Sequence, residues 1–443
     1  MGAGARRWHS PHRHCSNPHT MHFPLRALIA SAPLLAASLT LAAPTSQQLQ
    51  ELAKQEQPAL LDTLRALVEV ESGSKDLEGL ARMADLIAAK LKALGGEVSR
   101  IEPTEIYRME DTPERVGALV KAEFKGRGSK KLLLIAHMDT VYLKGMLKDQ
   151  PFRVEGGRAY GLAIADDKQG VATILHAIAL LQKAGIDDYG TLTVLINGDE
   201  EISSPGARAT ITRTAADQDM TLSFEGAGAQ GGVRLATSGV GSAYLSVEGR
   251  TSHAGARPEG GINALTELAH QLLQMQDLSE PDKGLKLNWT VAQAGTNRNV
   301  IPAQATAQAD ARALRVADFD RLEKELQRRT QQRRLPDAKV QLKFEIRRPP
   351  LEATAASRAL AKRAQAIYAE IGLPMQVAEV ATGGGTDAAF AALQARGPVI
   401  EGLGLTGFGA HSNNAEYVDI ATIPPRLYLV ARLIMEVSGA ADN

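Results

Sequence analysis

The sequence predicts an α/β protein: a mixed, mainly parallel sheet flanked by helices, with a smaller α+β unit inserted into it. Three observations carry that reading. Residues 132–136, 192–197 and 220–224 are short, strongly apolar runs of the kind found in strands covered on both faces. Each run leads into histidine or carboxylate residues, which is the edge where open α/β sheets place their ligands. The texture then changes between 238 and 347, where alternating strands and two helical patterns describe an antiparallel sheet with its own cover.

Taken in order, 1–43 reads as a leader and signal peptide. Arg26 precedes an apolar run, 27–41, that is broken by Pro33 and ends at Ala42-Ala43. The run is too short and too interrupted to span a membrane, and Met21 makes the more ordinary start. The expected destination is export, to a periplasm. Cys15, the one cysteine, lies in the leader, so the mature chain needs no disulfide at its length. Helices are expected over 47–70 and 77–94, strands over 98–101 and 116–124, a hairpin over 152–160 around Gly156-Gly157, and an apolar helix over 170–184. The inserted block should hold strands at 240–249, 286–292, 305–311 and 340–346, with helices at 263–275 and 317–334. Helices at 357–371, 387–393 and 424–437 and a strand at 398–402 return the chain to the first unit. The expected division is 44–237 and 348–443 for the larger domain and 238–347 for the insertion.

At 443 residues the chain exceeds one ordinary core. Lys+Arg and Asp+Glu are both 50, and this balance argues against nucleic acid or an anionic membrane as the main partner. Chemistry concentrates at strand ends: His137 and Asp139, Asp166-Asp167, Glu200-Glu201, Glu225 and His411. Histidines and carboxylates without thiolates suit Zn²⁺, with Co²⁺ or Mn²⁺ as substitutes. A shared carboxylate is the usual way to divide two histidines between two ions. His176 and His270 fall inside helical patterns and read as structural; His253 lies in a Gly/Ser-rich turn.

Nine stretches in order then resemble one family. They are His137-Met138-Asp139-Thr140-Val141-Tyr142, 161–168, Asn197-Gly198-Asp199-Glu200-Glu201, Ser223-Phe224-Glu225, Thr251-Ser252-His253-Ala254-Gly255, Asn299-Val300-Ile301-Pro302, Ala309-Asp310-Ala311-Arg312, Gly383-Gly384-Gly385-Thr386-Asp387 and His411-Ser412. The mature chain resembles the co-catalytic zinc peptidases of the aminoacylase/carboxypeptidase type, and most of all the bacterial glutamate carboxypeptidases that cleave folates. The resemblance implies a zinc-peptidase catalytic domain with an inserted lid and dimerisation domain, and a homodimer. It implies two zincs bridged by Asp166, one completed by His137 and Glu225, the other by Glu201 and His411. Asp139 would orient His137, and Glu200 would be the general base. A non-proline cis peptide is expected at Asp166–Asp167. His253 would stabilise the oxyanion, from its own or a partner subunit. Arg312 would read a free terminal carboxylate, Asn299 would bond the substrate near the scissile group, and Gly384 would let it approach backbone N–H groups. Arg348 would add positive charge for a glutamate side chain, or else stand as a solvated hinge arginine. The expected reaction is hydrolysis of the amide to a C-terminal glutamate or similar residue in folate-like, N-acyl or peptide substrates. The alternatives are an aminoacylase or dipeptidase of the same mechanism, and a non-catalytic binding protein on the same fold. Ala163 and Gln169 stand where the family commonly has glycine.

Overall fold

A computed structural model describes residues 44–412 and 416–439. The leader, with its signal-peptide and start-site readings, lies outside the described residues. Six strands form the central sheet, in the order Glu97–Ile101, Leu119–Lys125, Thr191–Asn197, Lys131–His137, Met220–Ser223 and Val399–Ile400. The first two junctions are antiparallel and the remaining three parallel. The mixed, mainly parallel sheet expected from the apolar runs is therefore present.

Lys131–His137 occupies the interior of this sheet, with a parallel neighbour on each side. Its side chains alternate between two cores, as the two-residue period of a strand requires. Leu132, Leu134 and Ala136 enter one apolar cluster, and Leu133 and Ile135 enter another. The first cluster is closed by the helices Ser46–Val68, Leu77–Ala93, Gln169–Lys183 and Ile423–Gly439. The second is closed by Arg208–Ala216 and Ala388–Ala392. Burial on both faces is why this strand reads as an unbroken apolar run.

Residues 239–348 supply a second sheet of four strands. Its order is Lys286–Ala294, Gln304–Ala313, Gly239–Glu248 and Lys339–Arg348, antiparallel throughout. The helices Ala264–Gln274 and Val316–Thr330 cover one face of it. The second of these stops four residues short of the expected 334, because the buried Glu267 carboxylate accepts from the Arg334 and Leu335 backbone N–H groups and turns the chain out of the helix.

Replacing Leu134, which is fully buried, with alanine is expected to cost about 3 kcal/mol. Leu143→Ala, at a side chain 75% exposed, should change stability by less than ~0.5 kcal/mol. Urea unfolding of the two variants beside the parent checks both values.

Candidate metal centre

Register brings the acidic strand ends together. His137 pairs with Asn197, and Ile135 with Ser223, so Glu200, Glu201 and Glu225 all emerge beside His137 at one sheet edge. Asp166 arrives from the turn ahead of helix Gln169–Lys183, where the Asp166–Asp167 peptide is cis as expected. Ala163, at a position where glycine is common, holds φ +58° at the start of this turn, a left-handed conformation that explains the glycine. Gln169 fills its own non-glycine position by donating to Asp167 Oδ1 at 2.8 Å and to the Phe224 carbonyl at 3.2 Å.

The two oxygens of Asp166 face different histidines. Oδ1 lies 3.0 Å from His137 Nε2, and Oδ2 lies 3.1 Å from His411 Nε2. Glu225 Oε1 approaches His137 Nε2 at 3.3 Å, and Glu201 Oε2 approaches His411 Nε2 at 3.2 Å. Two sets of donor atoms result, His137–Asp166–Glu225 and Asp166–Glu201–His411, each gathered within 4.8 Å. His411 holds φ +61°, a left-handed conformation of the kind kept at sites that need a side chain aimed.

Burial alone would lower the pKa of His137; the carboxylates of Glu225, Asp139 and Asp166 outweigh it and hold it well above the ordinary value. Hydrogen bonds to Asp166 and Glu201 push His411 up to about 11. Burial, then Asp166, raise Glu225 to about 7, and burial raises Glu201. Without a metal, protons bound by two imidazoles are what offset three converging carboxylates. The residues fit a pair of divalent ions on a further observation: Glu201 Oε1 is buried without a hydrogen-bond partner.

Asp139 acts on more than His137. Its backbone carbonyl lies 3.0 Å from His137 Nδ1, with carboxylate Oδ1 at 3.4 Å. The carboxylate itself accepts from the Glu200 N–H at 2.9 Å, the Glu201 N–H at 3.1 Å and the Ser74 hydroxyl at 2.7 Å. It ties the turn bearing Glu200 and Glu201 to the strand bearing His137.

Glu200 lines a cleft of about 460 Å³ together with Asp166, Glu201, Glu225, Arg312, Arg348, Gly384 and His411. A larger cleft of about 570 Å³ lies toward Lys75 and Leu143 and shares only Glu201 with the ligand set, so the smaller one is taken as the reaction space. Arg348 is 4% exposed, which removes the solvated-hinge reading. Its guanidinium donates to Glu200 Oε1 at 2.5 Å, to the Glu200 carbonyl at 2.6 Å and to Asp387 Oδ1 at 3.1 Å. A role in reading substrate charge must compete with those partners. Arg312 is held at Nε by both oxygens of Asp310, at 2.8 and 2.9 Å, and donates from Nη1 to the Gly383 carbonyl at 3.1 Å. His253 and Asn299 are exposed and line no part of this cleft. They belong to each other's neighbourhood: His253 bridges to Val300, and the Ala254 N–H donates to the Asn299 carbonyl at 3.0 Å.

Two residues escaped sequence reasoning. Glu416, 1% exposed, accepts from the Tyr142 hydroxyl at 2.5 Å and from the Ala165 and Asp166 N–H groups at 2.8 and 3.1 Å, fixing the backbone of Asp166. Its place five residues after His411 in no motif gave no signal. Arg234 lines the cleft directly after the glycine-rich loop 226–232 and likewise falls in no motif.

Asp139→Ala should lower metal affinity about 10- to 100-fold, read as metal content after dialysis, because it frees the Glu200–Glu201 turn. Metal loading at pH 7 should release protons, since imidazoles with raised pKa values must give theirs up, and affinity should rise with pH. Titration calorimetry in buffers of different ionisation enthalpy measures that release.

The model of peptidase family M20/M25/M40 matches residues 133–436. The chain is 46% identical over 416 residues to carboxypeptidase G2 of Pseudomonas sp. (strain RS-16), covering 94% of this chain and 97% of that one. It is similar in fold to the solved aminopeptidase PepT from Bacillus cereus ATCC 10987, with TM-score 0.71 and 22% identity over 86% of this chain and 98% of that one. It is similar in the same way to a tripeptidase from Staphylococcus aureus subsp. aureus Mu50, with TM-score 0.72 and 20% identity over 87% and 99%. A family match that spans most of the chain and includes both donor sets makes this protein a member of peptidase family M20/M25/M40.

Proposed function

We propose that this chain is an exported, periplasmic, di-zinc carboxypeptidase that hydrolyses the amide to a C-terminal glutamate or similar residue. The observation that carries the reading is Asp166 facing both histidines across one cleft with Glu200 and Arg312. Its 46% identity to carboxypeptidase G2 supports the choice of reaction. His137, Asp166 and Glu225 would hold one ion, and Asp166, Glu201 and His411 the other. When bound, the pair supplies an activated water and electrophilic stabilisation of the scissile carbonyl.

The chain's own groups do the rest. Burial raises the Glu200 carboxyl by more than Arg348 and His137 lower it and holds it well above the ordinary range, so the group keeps a proton readily once it has taken one. Glu200 accepts the proton from the attacking water as the carbon–oxygen bond forms. The carbon–nitrogen bond then breaks, and the same proton passes to the departing amine. Arg312, whose Nε is oriented by Asp310, would bind the terminal carboxylate, with Gly384 backbone beside it. Residues 44–237 and 348–443 would form the catalytic domain and 238–347 the lid and dimerisation domain. His253 and Asn299, outside the cleft in one subunit, would reach a partner's cleft in a homodimer. No helix among the described residues is long and apolar enough to cross a membrane.

Glu200→Gln should lower kcat by about 10³-fold or more with both ions retained. Metal analysis beside a panel of N-acyl amino acids tests this. Undiminished hydrolysis by a metal-loaded Glu200→Gln protein would sink the mechanism, and activity confined to N-acetylated neutral amino acids would favour the aminoacylase alternative.

A further inference from the structure

Three arginines line the reaction cleft: Arg234, Arg312 and Arg348. Two of them already have acidic partners. Arg348 is bonded to Glu200 and Asp387, and Arg312 to Asp310. Arg234 has no carboxylate within ion-pair distance among the described residues. Its one side-chain bond runs from Nη2 to the Gly226 carbonyl at 2.7 Å. The backbone that carries it is fixed on the other side, where Arg234 and Glu401 exchange N–H···O bonds at 2.8 and 3.0 Å. A half-buried guanidinium on a fixed strand, tethered to a neutral carbonyl, keeps donors and a full charge for something else.

Position narrows what that is. Arg234 and Arg312 border one space of about 460 Å³, together with Thr237, Val240 and Gly384. Beyond Asp166 and Glu225 the opening continues into a smaller recess of about 320 Å³ near Phe408, also bordered by Arg234. A leaving glutamate carries two carboxylates. Arg312 serves the terminal one in the reading above, and Arg348 is held by the general base. We propose that Arg234 binds the side-chain carboxylate of the leaving amino acid and sets the preference for an acidic residue there. The assignment rests on the carboxypeptidase reading and transfers to Arg234 the role that the sequence alone suggested for Arg348.

The test compares substrates that share one acyl group and end in glutamate or in glutamine, which differ in charge and hardly in shape. The parent should favour glutamate. Arg234→Gln should lower kcat/KM for the glutamate substrate on the order of 10- to 100-fold, as loss of a charge-assisted bond does, and leave the glutamine substrate nearly unchanged. Arg234→Lys should restore part of the preference. Thermal melts of both variants confirm folding. An equal loss on both substrates would mark a structural residue and overturn the proposal. So would a parent that hydrolyses both equally, or a variant whose selectivity changes only between N-succinyl and N-acetyl acyl groups. A parent inactive on every N-acyl amino acid would instead sink the carboxypeptidase reading itself.

Discussion

Asp166 is the constraint on which the site depends. One carboxylate with its two oxygens turned toward two different histidines requires that both histidines, and the acids behind them, converge from distant parts of the chain. His137 comes from a strand end, His411 from a loop near the C-terminus, and Glu201 and Glu225 from two further strand ends. Concentrating so much negative charge where burial already raises the carboxyl pKa values is unfavourable in the absence of cations. The fold tolerates it because the same groups are what divalent ions need. Metal binding at this edge is therefore coupled to the protonation of its histidines and carboxylates.

Rigid backbone holds the converging groups in place. Asp139 joins the strand of His137 to the turn of Glu200 and Glu201, and Glu416 accepts from the N–H of Asp166 itself. Both carboxylates are almost fully buried, and both act on backbone N–H groups. Backbone anchors of this kind fix where a ligand side chain starts. That leaves its last torsions free to adjust to an ion.

The sheet, the inserted unit and the donor residues were readable because their signals are local. An apolar run ending in His-x-Asp names its own strand and edge, and Leu132–Ile135 behaves in the structure as its composition says. Arg208–Ala216 was not readable, because a helix whose buried positions are only Ile211 and Ala215 leaves too narrow an apolar face to show as a period. Glu416 and Arg234 were missed for a different reason. Their roles exist only through long-range contacts, to Tyr142 and Ala165 in one case and to the walls of the cleft in the other. Arg348 shows the reverse hazard. Its position at the return from the inserted sheet suggested a free charge, and only the fold reveals that Glu200 and Asp387 already hold it.

That pairing also says how the two sheets are coupled. Arg348 ends the strand Lys339–Arg348 of the second sheet, yet its side chain bonds the carboxylate and the carbonyl of Glu200 at the edge of the first. Arg208 adds a parallel link, donating to the Ser203 and Arg347 carbonyls at 2.6 and 2.7 Å. The turn that bears Glu200 is thus tied directly to the last strand of the second sheet. Arg348 therefore joins the two sheets through the carboxylate and the carbonyl of Glu200 together. Arg312, Gly384 and Gly385 border the same cleft as Glu200 and Arg348, so the surfaces that would read a substrate lie beside the group that would take its proton. Arg348 thus both lowers the carboxyl pKa that burial raises at Glu200 and forms part of the wall of the binding space.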